Sequence, residues 1–434
     1  MAEKYENKGW LVAFAGTFIN LALGILYTWS IFKVSIKQSI ESKAVGGFNW
    51  SLDALNDPYS VCCLVFAFSM ILAGKCQDKY GPKITALIGG ILVGAGFIWI
   101  SQTTSYVSWV AGFGVLAGCG IGFGYSSATP PALKWFPPSK TGMIAGIVVS
   151  GFGLASVYIA PLSTHLIGTW GLQKTMMFFG ISFLVALTIF SRFLINPPSG
   201  YVPQETRTGG GRNPAGAPLN YATTSEMLKT PAFWILWTIY FIGAGAGLMI
   251  IGSVAAMAKK SMGEAAFIAV AIMAVGNAGG RVVAGTLSDK IGRSYTLALM
   301  HGFQALMMFA SIYIVRNEAT GPVLLVLLAT FIGFNYGTNL SLFPSYVKDQ
   351  WGLKNFGLNY GLLFTAWGVG GAVLSRVSQM LTARSGSFTS SFAMAGILLI
   401  VSSLLSSLVR VIKPVRPQPG RMVKETLAMR DVTV

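Results

Sequence analysis

The stretch Ala271–Ser294, AIMAVGNAGGRVVAGTLSDKIGRS, decides the fold of this chain. It places Arg281 inside a run that is otherwise apolar enough for lipid, and it ends in the charged turn Asp289–Arg293. A cation at membrane depth costs about 3 kcal/mol on insertion scales, and it is normally kept only where it faces a cavity and meets an anion. The stretch therefore predicts a membrane helix whose arginine holds an anionic group.

The composition extends this interpretation to the whole chain of 434 residues. Its residues are 53% hydrophobic and only 10% charged, whereas soluble domains contain about 25% charged residues. The formal net charge is +17, but a nucleic-acid-binding protein would cluster that charge on one soluble face. Here the charges lie between long apolar runs, so we expect the lipid bilayer, and not a nucleic acid, as a partner.

Twelve apolar segments are long enough to cross the hydrocarbon core of a bilayer, which is about 30 Å thick. The first is too long for a signal-peptide core and has no cleavage pattern, so we expect it to remain as a span. The sequence thus predicts an all-α membrane protein with twelve transmembrane helices. The predicted spans are 10–33, 54–75, 84–103, 106–133, 141–168, 173–196, 232–258, 264–287, 295–315, 320–346, 357–383 and 388–411.

The distribution of basic residues predicts how these spans are oriented. When the N-terminus is placed in the cytoplasm, most of the 31 Lys and Arg residues fall in connections on the cytoplasmic side. Cytoplasmic loops of membrane proteins carry such an excess. We therefore expect a multi-pass protein of the cell inner (plasma) membrane with both termini in the cytoplasm.

The connection between the sixth and seventh spans differs from the others, because Gly, Pro and polar residues dominate it from Pro197 to Thr230. This composition is typical of a linker. Near its end, Thr223 and Glu226 form a capping-box pattern that predicts a short surface helix. The predicted domains are a six-helix bundle at 1–196, a cytoplasmic linker at 197–231, a second six-helix bundle at 232–412 and a cytoplasmic tail at 413–434.

A charged pattern repeats at equivalent places in the two halves. The sequence GKCQDKYGPK at 74–83 follows the second span, and GTLSDKIGR at 285–293 follows the eighth, which is the second span of its half. In each copy the glycines allow a tight turn and close helix packing, and the charged residues can cap helices or form ion pairs. The residues to which we assign this gating role are Asp78, Lys79, Asp289, Lys290 and Arg293.

This repeated GxxxD(K/R)xG(R/K) pattern resembles the loop motif of the major facilitator superfamily. The resemblance covers the whole chain and implies the major facilitator fold, in which two pseudo-symmetric six-helix bundles rock about a central site. Further stretches resemble the monocarboxylate transporter family, and most of all its bacterial oxalate:formate antiporter branch. These stretches are Leu26–Trp29, Trp135–Pro137, Glu226–Trp234, Asn277–Arg293, Leu342–Ser345 and Asn359–Gly361.

Arg281 falls on the position of this family's substrate-carboxylate arginine. A guanidinium stays charged even when poorly solvated, and its fork matches a carboxylate. Asn277 lies one helical turn earlier on the same face, where it can orient Arg281 or bind the substrate. Animal members of the family carry an aspartate at this position; Asn277 cannot titrate, which leaves the proton route open. The alternative for Arg281 is an arginine that snorkels or pairs structurally.

A second departure from the family concerns the number of cations. In the oxalate:formate antiporter branch a lysine takes the second carboxylate of oxalate, and Trp367 stands at that position here. The first span also lacks the lysine of the animal members. One cation compensates one charge, and a second buried carboxylate would stay unpaired. We therefore expect a small monocarboxylate of the lactate or pyruvate type as the substrate.

Six aromatic residues match or neighbour the family's cavity positions, which implies that they line the substrate site. The alternative is that they pack between helices or face lipid, as aromatic residues at helical spacing commonly do. The six residues are Tyr27, Tyr125, Phe152, Tyr336, Phe364 and Trp367.

Asp57, near the start of the second span, is the candidate for proton coupling, because an acid inside a span can carry a proton. It can equally cap the first turn of its helix, where a carboxylate is favoured by the helix dipole. The four Cys and two His residues show no metal-ligand spacing, and no phosphate-binding loop is present. We therefore expect no metal and no cofactor, and transport driven by solute or ion gradients.

Taken with the resemblance, these features predict secondary active transport of small monocarboxylates by alternating access, as proton symport and by a monomer. The runner-up is a carboxylate antiporter of the oxalate:formate type without proton coupling. An enzyme is not expected, since the spans show no paired catalytic carboxylates, metal cluster or nucleophile–base set. A channel and a nutrient sensor that binds without transport are the remaining alternatives.

Overall fold

The computed structural model describes residues 6–43, 45–198, 201–203, 222–262, 266–316 and 322–410, and every regular element in these residues is helical. We number the long helices in chain order. They are α1 (Gly9–Ser42), α2 (Leu52–Tyr80), α3 (Pro82–Ile100), α4 (Tyr106–Trp135), α5 (141–170), α6 (172–191), α7 (Pro231–Met262), α8 (Ala266–Ile291), α9 (Arg293–Arg316), α10 (Pro322–Trp351), α11 (Phe356–Ser385) and α12 (Thr389–Val409).

Twelve spans are accounted for among the described residues. Ten helical segments are long and apolar enough to cross a membrane. One of them, Pro138–Ser191, contains Gly171 with a non-helical backbone (φ 80°), so it comprises both α5 and α6. The ten segments therefore contain eleven helices, and α8, which carries Arg281, brings the total to twelve. The predicted all-α fold of twelve transmembrane helices is therefore confirmed.

The helices group as two bundles, α1–α6 and α7–α12. The precise domain boundaries remain a prediction, because residues 204–221 of the proposed linker and the proposed tail lie outside the described residues. The end of the linker is described, and the short helix Thr224–Leu228 begins with the predicted capping box. The Thr223 amide donates to Glu226 Oε2 at 2.7 Å, and the Glu226 amide donates to Thr223 Oγ1 at 3.3 Å.

Two helices depart from regular α geometry in ways that the sequence analysis did not predict. In α1 the segment Gly24–Thr28 is a 3₁₀ turn, after which the helix continues to Ser42, well beyond its predicted end. In α4 the segment Val110–Ala117 is π-helical. Such tighter or wider turns commonly mark functional positions inside helices. The 3₁₀ turn of α1 carries Tyr27, one of the predicted site residues.

The two bundles meet along two seams that share the same register. In one seam α8 packs against α5, and in the other α2 packs against α11. Glycines at the facing positions allow the helix backbones to approach closely. In the α5–α8 seam, Gly142, Gly146 and Gly153 face Gly285, Arg281 and Ala278; in the α2–α11 seam, Gly357, Gly361 and Gly368 face Gly74, Met70 and Ala67. Because the spacings are identical, Met70 is the pseudo-symmetric counterpart of Arg281.

Both motif copies end their helices in the same way. Gly81 after α2 and Gly292 after α8 have φ values of 83° and 96°. Glycine adopts such positive φ values without the steric cost that other residues incur. The turns bring Asp78 and Asp289 to one side of the molecule, which we call the motif side; it is cytoplasmic in the predicted topology.

Candidate anion-binding site

Arg281 lies in the α5–α8 seam and is fully buried, with 0% of its surface exposed. It is the only fully buried Lys or Arg among the described residues, and no Asp or Glu in that part of the chain forms a salt bridge with it. A buried charge without an opposite charge is strongly unfavourable unless something compensates it. Since the described protein supplies no such acid, the arrangement suits an anion that comes from outside.

The guanidinium of Arg281 has two of its three nitrogens occupied by protein. Nε donates to Asn277 Oδ1 at 3.0 Å, one turn earlier on α8. Nη1 donates to the main-chain carbonyl of Val149 on α5. Nη2 is buried and has no hydrogen-bond partner among the described residues. Asn277 and Val149 thus fix the plane of the guanidinium and leave one NH₂ group to donate to a ligand.

The contact with Val149 joins the two bundles, because α5 belongs to the first and α8 to the second. This contact is possible because α5 has glycines, Gly146 and Gly153, where it faces Arg281, so that no side chain separates the two helices. A Cβ atom on Gly146 would collide with the carbonyl oxygen of Arg281, and one on Gly153 would lie 3.3 Å from its Nε. The residue that can bind an anion therefore also helps to hold the bundles together.

Tyr336 on α10 organises the aromatic side of the site. Its hydroxyl oxygen lies 2.9 Å from that of Tyr27 on α1, so this hydrogen bond also crosses between the bundles. Trp367 on α11 donates from Nε1 to the same Tyr336 oxygen at 2.8 Å. Phe364 stacks on Trp367 with ring centroids 5.1 Å apart. Phe152 lies edge-on to Tyr27 at 5.2 Å.

Tyr125 on α4 completes this set, with its ring 5.6 Å from Phe152 and 5.4 Å from Phe364. The structure therefore brings all six predicted aromatic residues into one cluster around Arg281. Phe66 on α2, which was not predicted from the sequence, also belongs to this cluster, and its ring lies between those of Trp367 and Tyr125, at 5.2 and 5.5 Å. The repeat contains a signal for it, because Phe66 precedes Met70 by four residues as Asn277 precedes Arg281.

Asp57 lies apart from this cluster. It begins the α-helical part of α2, and it accepts a hydrogen bond from the Tyr106 hydroxyl at 2.7 Å. Phe66, which is in the cluster, lies nine residues further along the helix, or about 13 Å at 1.5 Å per residue. The structure thus places Asp57 at the end of α2 remote from the motif side and not beside Arg281.

The motif side is closed by two carboxylates that cap helices of the opposite bundle. Asp289 accepts from the backbone amides of Gly142 and Met143 at the start of α5, both at 2.8 Å. Asp78 accepts from the amides of Gly357 and Leu358 at the start of α11, both at 2.9 Å. A carboxylate at a helix N-terminus satisfies free amides and interacts favourably with the helix dipole.

Among the described residues, further polar contacts surround Asp289 and the start of α5. Arg293 pairs with Asp289 at 2.6 Å and with Asp349 of α10 at 2.9 Å. Lys348, which the sequence analysis did not select, reaches from α10 to Thr141 Oγ1 at the start of α5, at 2.7 Å.

The two lysines of the motifs do not join these cross-bundle contacts. Lys79 lies over the ring of its neighbour Tyr80, 5.0 Å from the centroid, and both residues are exposed. Lys290 is also exposed. The capping aspartates and Lys348, and not the two motif lysines, therefore carry the described contacts between the bundles on the motif side, while Arg293 holds Asp289 from within the second bundle.

The sequence model of the Major Facilitator Superfamily matches residues 9–373. The chain belongs to this family, so it is a multi-pass membrane transporter and not an enzyme. It is 29% identical to the oxalate:formate antiporter of Oxalobacter formigenes over 367 residues, which cover 83% of this chain and 81% of the relative. It is 24% identical to monocarboxylate transporter 13 of Bos taurus over 400 residues, which cover 91% of this chain and 88% of the relative.

A solved structure supports the fold. The Escherichia coli fucose:proton symporter FucP superimposes with a TM-score of 0.64 and 13% sequence identity, covering 92% of this chain and 98% of that chain. This likeness shows the shared arrangement of twelve helices in two bundles. The relatives and the fold together establish a major facilitator transporter with relatives that handle carboxylates.

Proposed function

We propose that this protein is a secondary active transporter of small monocarboxylates that works by alternating access as a proton symporter. The observation that carries the proposal is Arg281, a fully buried guanidinium with one unpaired NH₂ group and no salt bridge to an acid among the described residues. A carboxylate is the anion whose two oxygens match a guanidinium, and charge-assisted hydrogen bonds of this kind are the stronger ones in proteins.

Substrate binding is coupled to the separation of α5 from α8 through the main-chain carbonyl of Val149, to which Arg281 donates. A carboxylate that takes both Nη2 and Nη1 of Arg281 competes with this carbonyl for the guanidinium. It therefore weakens a contact that holds α5 against α8 when the site is empty. A ligand shifts a conformational equilibrium only through such a difference in its interactions with the two states.

The aromatic cluster argues for one carboxylate per substrate. Trp367 occupies the position where the antiporter branch has its second cation, and its Nε1 is already bonded to Tyr336. A second carboxylate would have no buried cation to meet among the described residues. The six aromatic residues instead offer rings and hydroxyl groups to the body of a small organic acid. Formate and the monocarboxylates in the names of the two relatives belong to this substrate class, whereas oxalate, with two carboxylates, does not.

The proton has two possible carriers in this proposal. Among the described residues no Asp or Glu pairs with Arg281, and Asn277 cannot titrate. The proton therefore enters with the substrate carboxylate, or it passes through Asp57. We further propose that Asp78, Asp289 and Arg293 gate the motif side, that both termini are cytoplasmic, and that the monomer acts in the inner membrane.

One observation favours the runner-up, carboxylate exchange without a proton. A guanidinium cannot lose its proton in a protein, so an empty transporter must change conformation with an uncompensated buried cation. This cost opposes return of the empty carrier and favours return with a second carboxylate. Exchange of this kind is what the name of the Oxalobacter formigenes relative describes.

Uptake of labelled lactate into proteoliposomes distinguishes these modes. Symport predicts that an inward proton gradient stimulates uptake into vesicles that contain no carboxylate. Exchange predicts uptake only into vesicles preloaded with a carboxylate, whatever the proton gradient. Absence of uptake for lactate, pyruvate and other small monocarboxylates under both conditions would refute the proposed substrate class.

A further inference from the structure

An open cleft of about 390 Å³ lies on the motif side of the second bundle, apart from the candidate site around Arg281. It is bounded by the turn from α8 to α9 and by the ends of α10 and α12. Ile291 at the end of α8 lines it, and Arg281 lies ten residues earlier on that helix, or about 15 Å deeper. The cleft is therefore a separate place at which a ligand can bind.

The charged residues that line this cleft are two arginines, Arg293 and Arg410, and one acid, Asp349. Arg293 compensates Asp349, with Nε 2.9 Å from Oδ2. Its Nη1 donates to Asp289 and Ser288, whereas its Nη2 makes no hydrogen bond among the described residues. Arg410 forms no salt bridge in that part of the chain. The cleft therefore has an excess of positive charge and two guanidinium groups that can still donate.

The start of α9 fixes Arg410 in this cleft. The guanidinium carbon of Arg410 lies 4.6 Å from the centroid of the Tyr295 ring, and its Nη1 donates to the Tyr295 hydroxyl. Such stacking orients a guanidinium, whose fork then matches two oxygens of a phosphate. Ser294 Oγ accepts a hydrogen bond from the Tyr346 hydroxyl at 2.9 Å, so its own proton remains for a ligand. These donors suit a phosphate group.

The cleft also adjoins the lipid-facing surface of α9 and α12. These helices pack side by side, and Ser403 Oγ donates to the carbonyl of Ala298 at 2.7 Å. Leu299 on α9 lies one turn from the cleft, and Leu404 and Leu408 on α12 precede it; all three are more than half exposed. A molecule whose phosphate sits in the cleft can therefore lay hydrocarbon chains against these side chains.

We propose that this cleft binds the phosphate of an anionic phospholipid whose acyl chains lie against α9 and α12. Basic pockets between membrane helices on the cytoplasmic side bind such headgroups. A zwitterionic headgroup also carries an ammonium, for which the cleft offers only Asp349, already paired with Arg293. Lys413 and Arg416 follow Arg410 in the sequence, and basic residues next to a membrane helix attract anionic lipids. Because Arg293 also pairs with Asp289, the bound lipid contacts a residue of the proposed gate.

Thermal unfolding of the full-length protein in a neutral detergent tests this site, with phosphatidylglycerol or phosphatidylcholine added at rising concentration. Phosphatidylglycerol should raise the melting temperature of the wild type at concentrations at least fivefold below those of phosphatidylcholine. In Arg410→Gln its half-saturating concentration should rise about fivefold, which corresponds to about 1 kcal/mol for one basic residue. Arg192→Gln, at an exposed arginine that ends α6 of the first bundle, is the matched control and should behave as the wild type.

Inorganic phosphate distinguishes a lipid from a free anion. Without acyl chains it should not raise the melting temperature at the concentrations at which phosphatidylglycerol saturates, and an equal effect of the two would overturn the assignment to a lipid. Equal half-saturating concentrations in the wild type and Arg410→Gln would overturn the site itself. An equal loss in Arg410→Gln and Arg192→Gln would also overturn it, because the attraction would then be common to exposed arginines. Melting without lipid checks that each variant is folded, and none of these outcomes depends on the identity of the substrate.

Discussion

Replacement of Asp289 by asparagine should open the motif side of the transporter. Asp289 accepts two backbone hydrogen bonds from the start of α5 and pairs with Arg293, and its side chain is only 7% exposed. Asparagine has the same shape, but it offers one acceptor oxygen in place of two and carries no charge. Its NH₂ group would face either a backbone amide of α5 or the guanidinium, and both are donors.

The size of the effect follows from these contacts. One hydrogen bond to the carboxylate is lost, and the ion pair with Arg293 and the favourable interaction with the helix dipole disappear. Hydrogen bonds to charged groups contribute about 1.5–3 kcal/mol and a charge at a helix terminus about 0.3–1 kcal/mol. We expect a loss of about 2 kcal/mol for the closed state, which is a shift of roughly 30-fold in the conformational equilibrium.

Asp78→Asn is the matched comparison at the pseudo-equivalent position. Asp78 accepts two backbone amides in the same geometry, but among the described residues it has no ion pair like that of Asp289 with Arg293. Asp78 is also exposed, so water replaces part of what the variant loses. The expected loss is therefore smaller, about 1 kcal/mol, or roughly fivefold in the equilibrium. The structure thus predicts that the α5–α8 seam is the stronger of the two.

Distances between spin labels measure these equilibria. The four native cysteines are first replaced, and labels are attached to cysteines at Lys83 and Lys290, exposed positions in opposite bundles on the motif side. Double electron–electron resonance should show a longer-distance population that grows most in Asp289→Asn and less in Asp78→Asn. A label pair at Lys83 and Ser139, within one bundle, should not change. An unaltered distribution in Asp289→Asn would refute the assignment of Asp289 to the gate.

Three further changes test the site itself. Asn277→Asp gives the Arg281 guanidinium an internal counter-ion in place of a neutral amide, so lactate uptake should fall at least tenfold; uptake beside Asn277→Gln checks this, and wild-type uptake in Asn277→Asp would contradict it. Trp367→Lys adds a second cation, so lactate should compete less well and oxalate should begin to compete in an uptake assay; oxalate that already competes with the wild type would defeat the one-cation argument. Tyr336→Phe leaves Tyr27 and Trp367 without their common partner and should lower the free energy of unfolding by about 1–2 kcal/mol, measured by thermal unfolding; a melting temperature equal to that of the wild type would contradict the bonds described.

The sequence was sufficient for the fold, because apolar length and the repeated motif are properties of the chain itself. The spans and the capping box of the linker helix were predicted close to where they lie. The residues of the candidate site could be identified only through the resemblance to the monocarboxylate transporter family. The structure shows why Arg281 and its aromatic neighbours meet: the glycines of α5 admit the arginine, and a 3₁₀ turn in α1 carries Tyr27 to Tyr336.

Other parts of the site could not have been predicted from the residues alone. The partner of Arg281 on α5 is a main-chain carbonyl, which any residue at position 149 would supply. The pairing of the seams is a tertiary property as well. Once it is known, Phe152 and Trp367 prove to be counterparts, each ten residues after the glycine that opens its helix, Gly142 or Gly357.

The two halves therefore differ where function requires it. At the level of the site, the first half places Phe66 and Met70 on α2, and the second half places Asn277 and Arg281 on α8. The two halves thus share one arrangement of helices, but α2 lines the site with apolar side chains and α8 lines it with polar ones. Such a site suits a small molecule with a single charged end, whose remaining surface packs against aromatic rings.

The binding of lactate to purified protein, measured by isothermal titration calorimetry in the wild type and in Arg281→Lys, tests the central claim most directly. Lysine keeps the positive charge but loses the planar fork and the bonds to Asn277 and Val149. Arg281→Lys should weaken lactate binding at least tenfold, whereas Arg376→Lys, at an exposed position of α11, should leave it unchanged. Equal affinity in the wild type and in Arg281→Lys would contradict the claim that this arginine holds the substrate carboxylate.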